Sequence, residues 1–193
     1  MLLWHSVGSK QCSGTVAHGS KLPLNSINGR NPALPPGDSG MSSVNVRMAT
    51  PSDLRELAEL FDGYRQFYRQ APDLERARDF IEERLARNDS WILVAQRGDT
   101  LVGFSQLYPS FSSTHTSRIA ILNDLYVAAP ARRSGVAAAL LLASQDLGRK
   151  LGLSALELST AIDNTGAQAL YRKHGWIRDT EFHVFTRYRM IKP

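Results

Sequence analysis

One stretch constrains this chain more than any other: Leu125-Tyr126-Val127-Ala128-Ala129-Pro130-Ala131-Arg132-Arg133-Ser134-Gly135-Val136-Ala137-Ala138. An apolar strand runs into Pro130, which lacks an N–H and stops it. A short loop with two arginines follows, and a helix then starts around a glycine and runs from about Ser134 to Leu151. The first turn of a helix carries N–H groups without internal partners, and the helix dipole is positive there. Such a turn is an anion site. Gly135 has no Cβ to keep a phosphate off the backbone, and Ala137 and Ala138 are small. Arg132 and Arg133 supply charge that pairs with phosphate oxygens. Other phosphate loops fit less well. Val136 stands where a P-loop needs Lys after its last glycine, and the Gly-x-Gly-x-x-Gly fingerprint is absent. On this segment alone, an ordinary strand-loop-helix connection with solvated arginines stays open.

The remaining sequence surrounds this joint with a mixed α/β fold. Val44, Val46 and Met48 alternate with polar residues, as in a half-buried strand. Thr50, Pro51 and Asp53 form a helix start, and Leu54, Leu57, Ala58, Phe61 and Tyr64 follow at helical spacing. A second amphipathic helix spans Leu74 to Leu85, after Pro72. Trp91–Gln96 and Leu101–Tyr108 read as a hairpin around Arg97-Gly98-Asp99-Thr100. Pro109–Ser117 reads as a polar loop, and Arg118–Val127 as a long strand. Beyond the Ser134–Leu151 helix come a strand at Leu153–Ser159 and a helix at Asn164–His174. Two short strands, Trp176–Asp179 and Phe182–Met190, close the chain. The expected order is β-α-α-β-β-β-α-β-α-β-β, a mixed, largely antiparallel sheet flanked by helices. Residues 1–42, rich in Pro, Gly, Ser and Asn, read as a disordered leader, a targeting segment or a mis-assigned start before Met41. The folded domain is expected over 43–193.

Composition narrows the function classes. The longest apolar run, Val136–Ala143, is too short for a membrane span, so no membrane partner is expected. The single Cys12 allows no intrachain disulfide, and a reducing, cytoplasmic setting is the simplest assumption. A net charge of +5 suits an anionic partner or plain solubility. No basic run alternates with aromatics, so a nucleic-acid partner is not expected. No His/Cys/Asp cluster has ligand spacing, so no metal is expected.

The second informative segment is Asp163-Asn164-Thr165-Gly166-Ala167-Gln168-Ala169-Leu170-Tyr171-Arg172-Lys173-His174-Gly175-Trp176. Asn164 suits a helix N-cap and Gly175 a left-handed stop. Ala167, Leu170 and Tyr171 share one face. The helix pattern by itself favours a core tyrosine. A tyrosine is also protonated at neutral pH and able to donate a proton.

Together the two segments resemble the GNAT acetyltransferase superfamily, from Val44 to the C-terminus. Arg132-x-x-Gly135-x-Ala137 is similar to its Arg/Gln-x-x-Gly-x-Gly/Ala signature. Asn164-x-x-Ala167-x-x-Leu170-Tyr171-x-x-x-Gly175-Trp176 is similar to its second motif. The resemblance implies that Arg132 and the amides of Arg133, Ser134, Gly135, Val136, Ala137 and Ala138 bind the pyrophosphate of acetyl-CoA, the co-substrate. It implies that the backbone at Leu125, Tyr126 and Val127 lines the pantetheine arm and acetyl carbonyl, with Asn164 and Ala167 alongside. It implies that Tyr171 is the general acid toward the departing thiolate. Leu122-Asn123-Asp124 resembles the polyamine-acetyltransferase branch, where Leu-Glu-Asp often stands. That implies an acceptor site at Asp124 and Asn123, although Asn123 cannot accept a proton as the glutamate does. Tyr108, with Tyr64, Phe67, Tyr68 and Phe111, forms either an aromatic wall near the acceptor or part of the core.

The expected activity is transfer of an acetyl group from acetyl-CoA to a primary amine, preferably a small cationic amine or amino acid. A protein lysine or N-terminal acetyltransferase, marked by an open groove around Tyr108–Arg118, is one rival. A non-catalytic acyl-CoA-binding module is another. Homodimerisation is common in the resembled family, but no surface stripe in the sequence establishes it.

Overall fold

A computed structural model describes residues 43–181. The expected leader, Cys12 and the strand expected at Phe182–Met190 lie outside the described residues. The chain runs β1 (Asn45–Met48), α1 (Leu54–Phe67), α2 (Leu74–Arg87), β2 (Trp91–Arg97), β3 (Thr100–Ser112), β4 (Ser117–Val127), α3 (Val136–Lys150), β5 (Ala155–Glu157) and α4 (Thr165–Lys173). One five-stranded sheet has the order β1-β2-β3-β4-β5. The first three pairings are antiparallel, and β5 joins β4 in parallel. The fold class expected from the sequence is therefore present.

Strand alternation sends side chains to two faces, and each face has its own core. Leu57, Phe61, Ala77 and Ile81 of α1 and α2 pack with Ile92, Val94, Leu101 and Phe104. On the opposite face, Val136, Leu140 and Leu141 of α3 pack with Leu93, Ala95, Leu107, Ala120 and Leu122. Leu170, Tyr171 and Trp176 cover the edge of this second core. Burying a side chain of this size stabilises the fold by about 1.5–3 kcal/mol.

Three expectations are corrected. Pro109–Ser117 is mostly strand, because β3 continues to Ser112 and pairs with β4 as far as Ser112↔Ser117. Pro109 is tolerated because β2 ends at Trp91↔Leu107, so β3 has one neighbour there and needs fewer N–H donors. The strand expected at Leu153–Ser159 shrinks to Ala155–Glu157, since its partner among the described residues, β4, stays in register for three residues. Trp176–Asp179 forms no strand. Trp176 instead packs its ring 6.1 Å from that of Tyr171, and Ile177 is exposed.

Candidate active site

The short β4–β5 pairing creates the site. It ends at Ile121↔Glu157. Just beyond, Leu122 pairs with Leu107 and Asp124 with Gln106, leaving Asn123 as an extra residue in β4. Such a bulge bends its strand and increases its twist. From Leu122 onward β4 has no partner on its outer edge among the described residues, and a cleft of about 540 Å³ opens there. Leu122, Asn123, Leu125, Tyr126 and Val127 line one side, and Ser159, Thr160, Asn164, Ala167 and Tyr171 line the other.

At one end of the cleft stands the turn into α3. A single 3-10 turn at Ala129–Ala131 follows the strand. Arg133 (φ 61°) and Gly135 (φ 85°) then adopt left-handed backbone. For an arginine that conformation costs of order 1 kcal/mol, and the turn is held by other contacts. Arg132 Nε donates to the Val127 carbonyl at 3.0 Å. Ser134 Oγ donates to the Ala131 carbonyl at 2.7 Å and accepts from Arg97 Nη2 at 2.8 Å. No side chain caps α3. Its first backbone bond runs from Ala139 N–H to Gly135 O at 3.0 Å. The amides before Ala139 therefore face an open cradle. A Cβ built on Gly135 would meet nothing within 4 Å, which leaves this approach clear. The donor set, amide N–H groups beside two guanidinium groups, fits a pyrophosphate.

Across the cleft, Asn164 Oδ1 accepts from Ala167 N–H at 3.2 Å and starts α4. That helix carries Tyr171 into the lining. Burial pushes the Tyr171 hydroxyl up from its ordinary value, with a smaller contribution from Tyr68. A tyrosine in that state keeps its proton well into alkaline solution.

The third wall is the end of α1, where Tyr64, Phe67 and Tyr68 reach the cleft. Tyr64 also packs on the core beneath α1, so it belongs to both. The Arg132 guanidinium lies 5.7 Å from the ring centres of both Phe67 and Tyr126. Tyr126 presses close to α1: a Cβ on Gly63 would stand 2.7 Å from its hydroxyl. Below the bulge, Asn123 Nδ2 donates to Asp124 Oδ1 at 3.0 Å. Burial pushes the Asp124 carboxyl above the usual carboxylate range, against opposing hydrogen bonding from Tyr64 and Asn123. Burial also raises the Tyr64 hydroxyl, and that of Tyr108 is pushed up to about 12.

Most residues singled out from the sequence thus meet in one place. Leu125, Tyr126, Val127, Arg132, Arg133, Gly135, Ala137, Ala138, Asn164, Ala167, Tyr171 and Asn123 all line the cleft. The others do not. The Val136 side chain, at the start of α3, is buried in the core, and Ser134 is bonded into the turn. Asp124 is 3% exposed, behind the lining. Tyr108 and Phe111 lie on the β3–β4 hairpin, where Tyr108 pairs with Ile121. Sequence reasoning missed Arg97, Ser159, Thr160, Lys173 and His174. Lys173 and His174 occupy variable places of the second motif, and Arg97 reaches the turn only through the fold. Among the described residues, no three His, Cys, Asp or Glu side chains converge as metal ligands. No helix among them is long and apolar enough to cross a membrane.

Comparisons with known proteins identify the family. The Acetyltransferase (GNAT) family matches residues 54–176. The uncharacterized N-acetyltransferase YhfO of Bacillus subtilis is 44% identical over 139 residues, 72% of this chain and 93% of that protein. A crystal structure of a probable acetyltransferase superposes with a TM-score of 0.70 at 42% identity, covering 74% of this chain and 96% of that one. The fold is shared more widely. AAC(6')-Iy, solved with a CoA-containing bisubstrate analogue, has a TM-score of 0.63 at 23% identity, over 77% of this chain and 99% of its own. The family match and these relatives define a GNAT-type acetyltransferase. It belongs to the GNAT family of N-acetyltransferases.

Proposed function

We propose that the protein transfers an acetyl group from acetyl-CoA to the primary amine of a small molecule. The observation that carries this reading is the convergence of an uncapped helix N-terminus and a protonated tyrosine on one cleft, along a strand edge without a partner among the described residues. The amides of Gly135 to Ala138, with Arg132 and Arg133, hold the pyrophosphate. The free edge at Leu125–Val127 and the α4 start at Asn164 and Ala167 hold the pantetheine arm. The thioester then lies between β4 and Tyr171. The amine nitrogen attacks the carbonyl carbon, a C–N bond forms and the C–S bond breaks. Tyr171 donates its proton to the departing sulfur, and the amine's surplus proton leaves to solvent. Asn123 accepts no proton and positions the amine, with Asp124 behind it.

Tyr171→Phe tests the assignment. A well-placed proton donor contributes about 10²–10⁴-fold to rate. The variant is expected to lose at least about 100-fold in kcat while the KM for acetyl-CoA stays within a few-fold. Unchanged turnover removes Tyr171 from the mechanism. Coenzyme A release across amines, amino acids and peptides separates this reading from its rivals. Release with peptides alone favours a protein acetyltransferase, and no release with any amine favours a binding module.

A further inference from the structure

The acceptor side of the cleft has a chemistry of its own. The α1 end presents three aromatic rings in contact: Tyr64 and Tyr68 at 5.1 Å, and Phe67 and Tyr68 at 5.3 Å between centres. Tyr126 continues the row from β4, 6.2 Å from Tyr64. Phe67 is 54% and Tyr68 48% exposed. Two large aromatic side chains left half uncovered at the mouth of a cleft offer binding energy to an apolar body.

The charges are equally one-sided. Among the described residues, the lining of the cleft includes Arg132, Arg133 and Lys173 and no Asp or Glu. The two carboxylates next to the acceptor wall are already engaged. Asp62 of α1 accepts from Arg65 at 2.7 Å, Gln66 at 2.8 Å and the Asp73 amide at 3.0 Å. Asp124 is buried and bonded to Asn123. An ammonium group other than the reacting one would meet cations without a carboxylate to pair with, which is unfavourable.

Resting on the acetyl-transfer reading above, we propose that the acceptor carries a single amino group on an aromatic or apolar body. That body seats against Tyr64, Phe67 and Tyr68, and its amine reaches the bulge at Asn123. Polyamines and other polycations are selected against by the absence of accessible carboxylates.

The test compares kcat/KM for coenzyme A release by the full chain at saturating acetyl-CoA. The acceptors are phenethylamine, tyramine, butylamine, putrescine and spermidine, with a lysine-containing peptide as control. Phenethylamine or tyramine is expected to exceed spermidine by at least about tenfold, equivalent to roughly 1.4 kcal/mol. Tyr68→Glu places a carboxylate at the exposed mouth, and it is expected to move the ratio at least about fivefold toward spermidine. Equal or better turnover of spermidine by the unmodified protein overturns the proposal and leaves the acetyltransferase reading standing. Release with the peptide alone overturns this proposal and the small-molecule reading together, in favour of a protein acetyltransferase. Release with none of the amines, while acetyl-CoA binds, overturns the underlying reading and this proposal with it.

Discussion

Arg97 lies outside the cleft, at the end of β2, yet its guanidinium holds Ser134 in the turn before α3 at 2.8 Å. Its Nε is buried without a hydrogen-bond partner, so the guanidinium beside this turn leaves one donor unsatisfied. A charge-assisted hydrogen bond contributes about 1.5–3 kcal/mol. Arg97→Ala should therefore raise the KM for acetyl-CoA roughly tenfold with kcat within about twofold, and Arg97→Lys should recover part of the loss. Steady-state kinetics on both variants decide the matter, because a change in melting temperature without a change in KM makes Arg97 only structural. Nothing in the sequence connects residues 97 and 134. Arg132 and Tyr171 were singled out because the segments around them resemble two family motifs, and both line the cleft. Arg97, Ser159 and Thr160 acquire their places only through long-range packing. Asp124 was expected at the acceptor site, and its burial was not legible, since burial depends on α1 closing over β4.

At the level of elements, the start of α1 is a compact electrostatic unit. Arg47 donates two bonds of 2.7 Å to Asp53 from β1, and the Thr50 amide donates to the same carboxylate at 2.7 Å. The Arg47 guanidinium, more than the Thr50 amide, holds the Asp53 carboxyl down at about 2. A carboxylate with a depressed folded pKa stabilises the fold fully above its unfolded pKa, near 4, and loses that contribution as pH falls toward 2. Asp53 is nearly buried but Arg47 is one-third exposed, and solvent screening leaves about 1 kcal/mol. Asp53→Asn should lower unfolding free energy by about that amount at pH 7, with the difference from the unmodified protein shrinking by pH 3. Urea unfolding at both pH values measures it, and a gap that does not shrink excludes the ion pair as the source. This helix start was legible from Thr50, Pro51 and Asp53 because capping chemistry is local. The β4 bulge was not, for the extra residue exists only relative to the pairing of β3. The same reason explains why β5 was read too long and the β3–β4 hairpin too short.

For the whole molecule, the cleft left where the β4–β5 pairing ends carries Arg132 and Arg133 at the turn proposed to hold the donor's pyrophosphate and Lys173 on α4. The chain carries a net charge of +5, and Arg132, Arg133 and Lys173 concentrate part of it at the lining. Two contributions to donor binding then separate by range. The amides of the α3 turn act at hydrogen-bond distance and are little affected by salt. The field of the cations reaches outward over about one Debye length, roughly 10 Å at 0.1 M ionic strength and 3 Å at 1 M. If the field assists capture of acetyl-CoA, its KM should rise about three- to tenfold between roughly 0.05 M and 0.5 M sodium chloride, while kcat stays nearly constant. Arg133→Ala should flatten that dependence, since it removes a lining charge in left-handed backbone without touching Ser134 or Arg97. A KM independent of salt in both proteins assigns donor binding to the amide cradle alone. The positive surface would then have no part in substrate capture. A salt dependence in kcat instead places charge at the chemical step, where the cleft supplies only Tyr171 and the β4 edge.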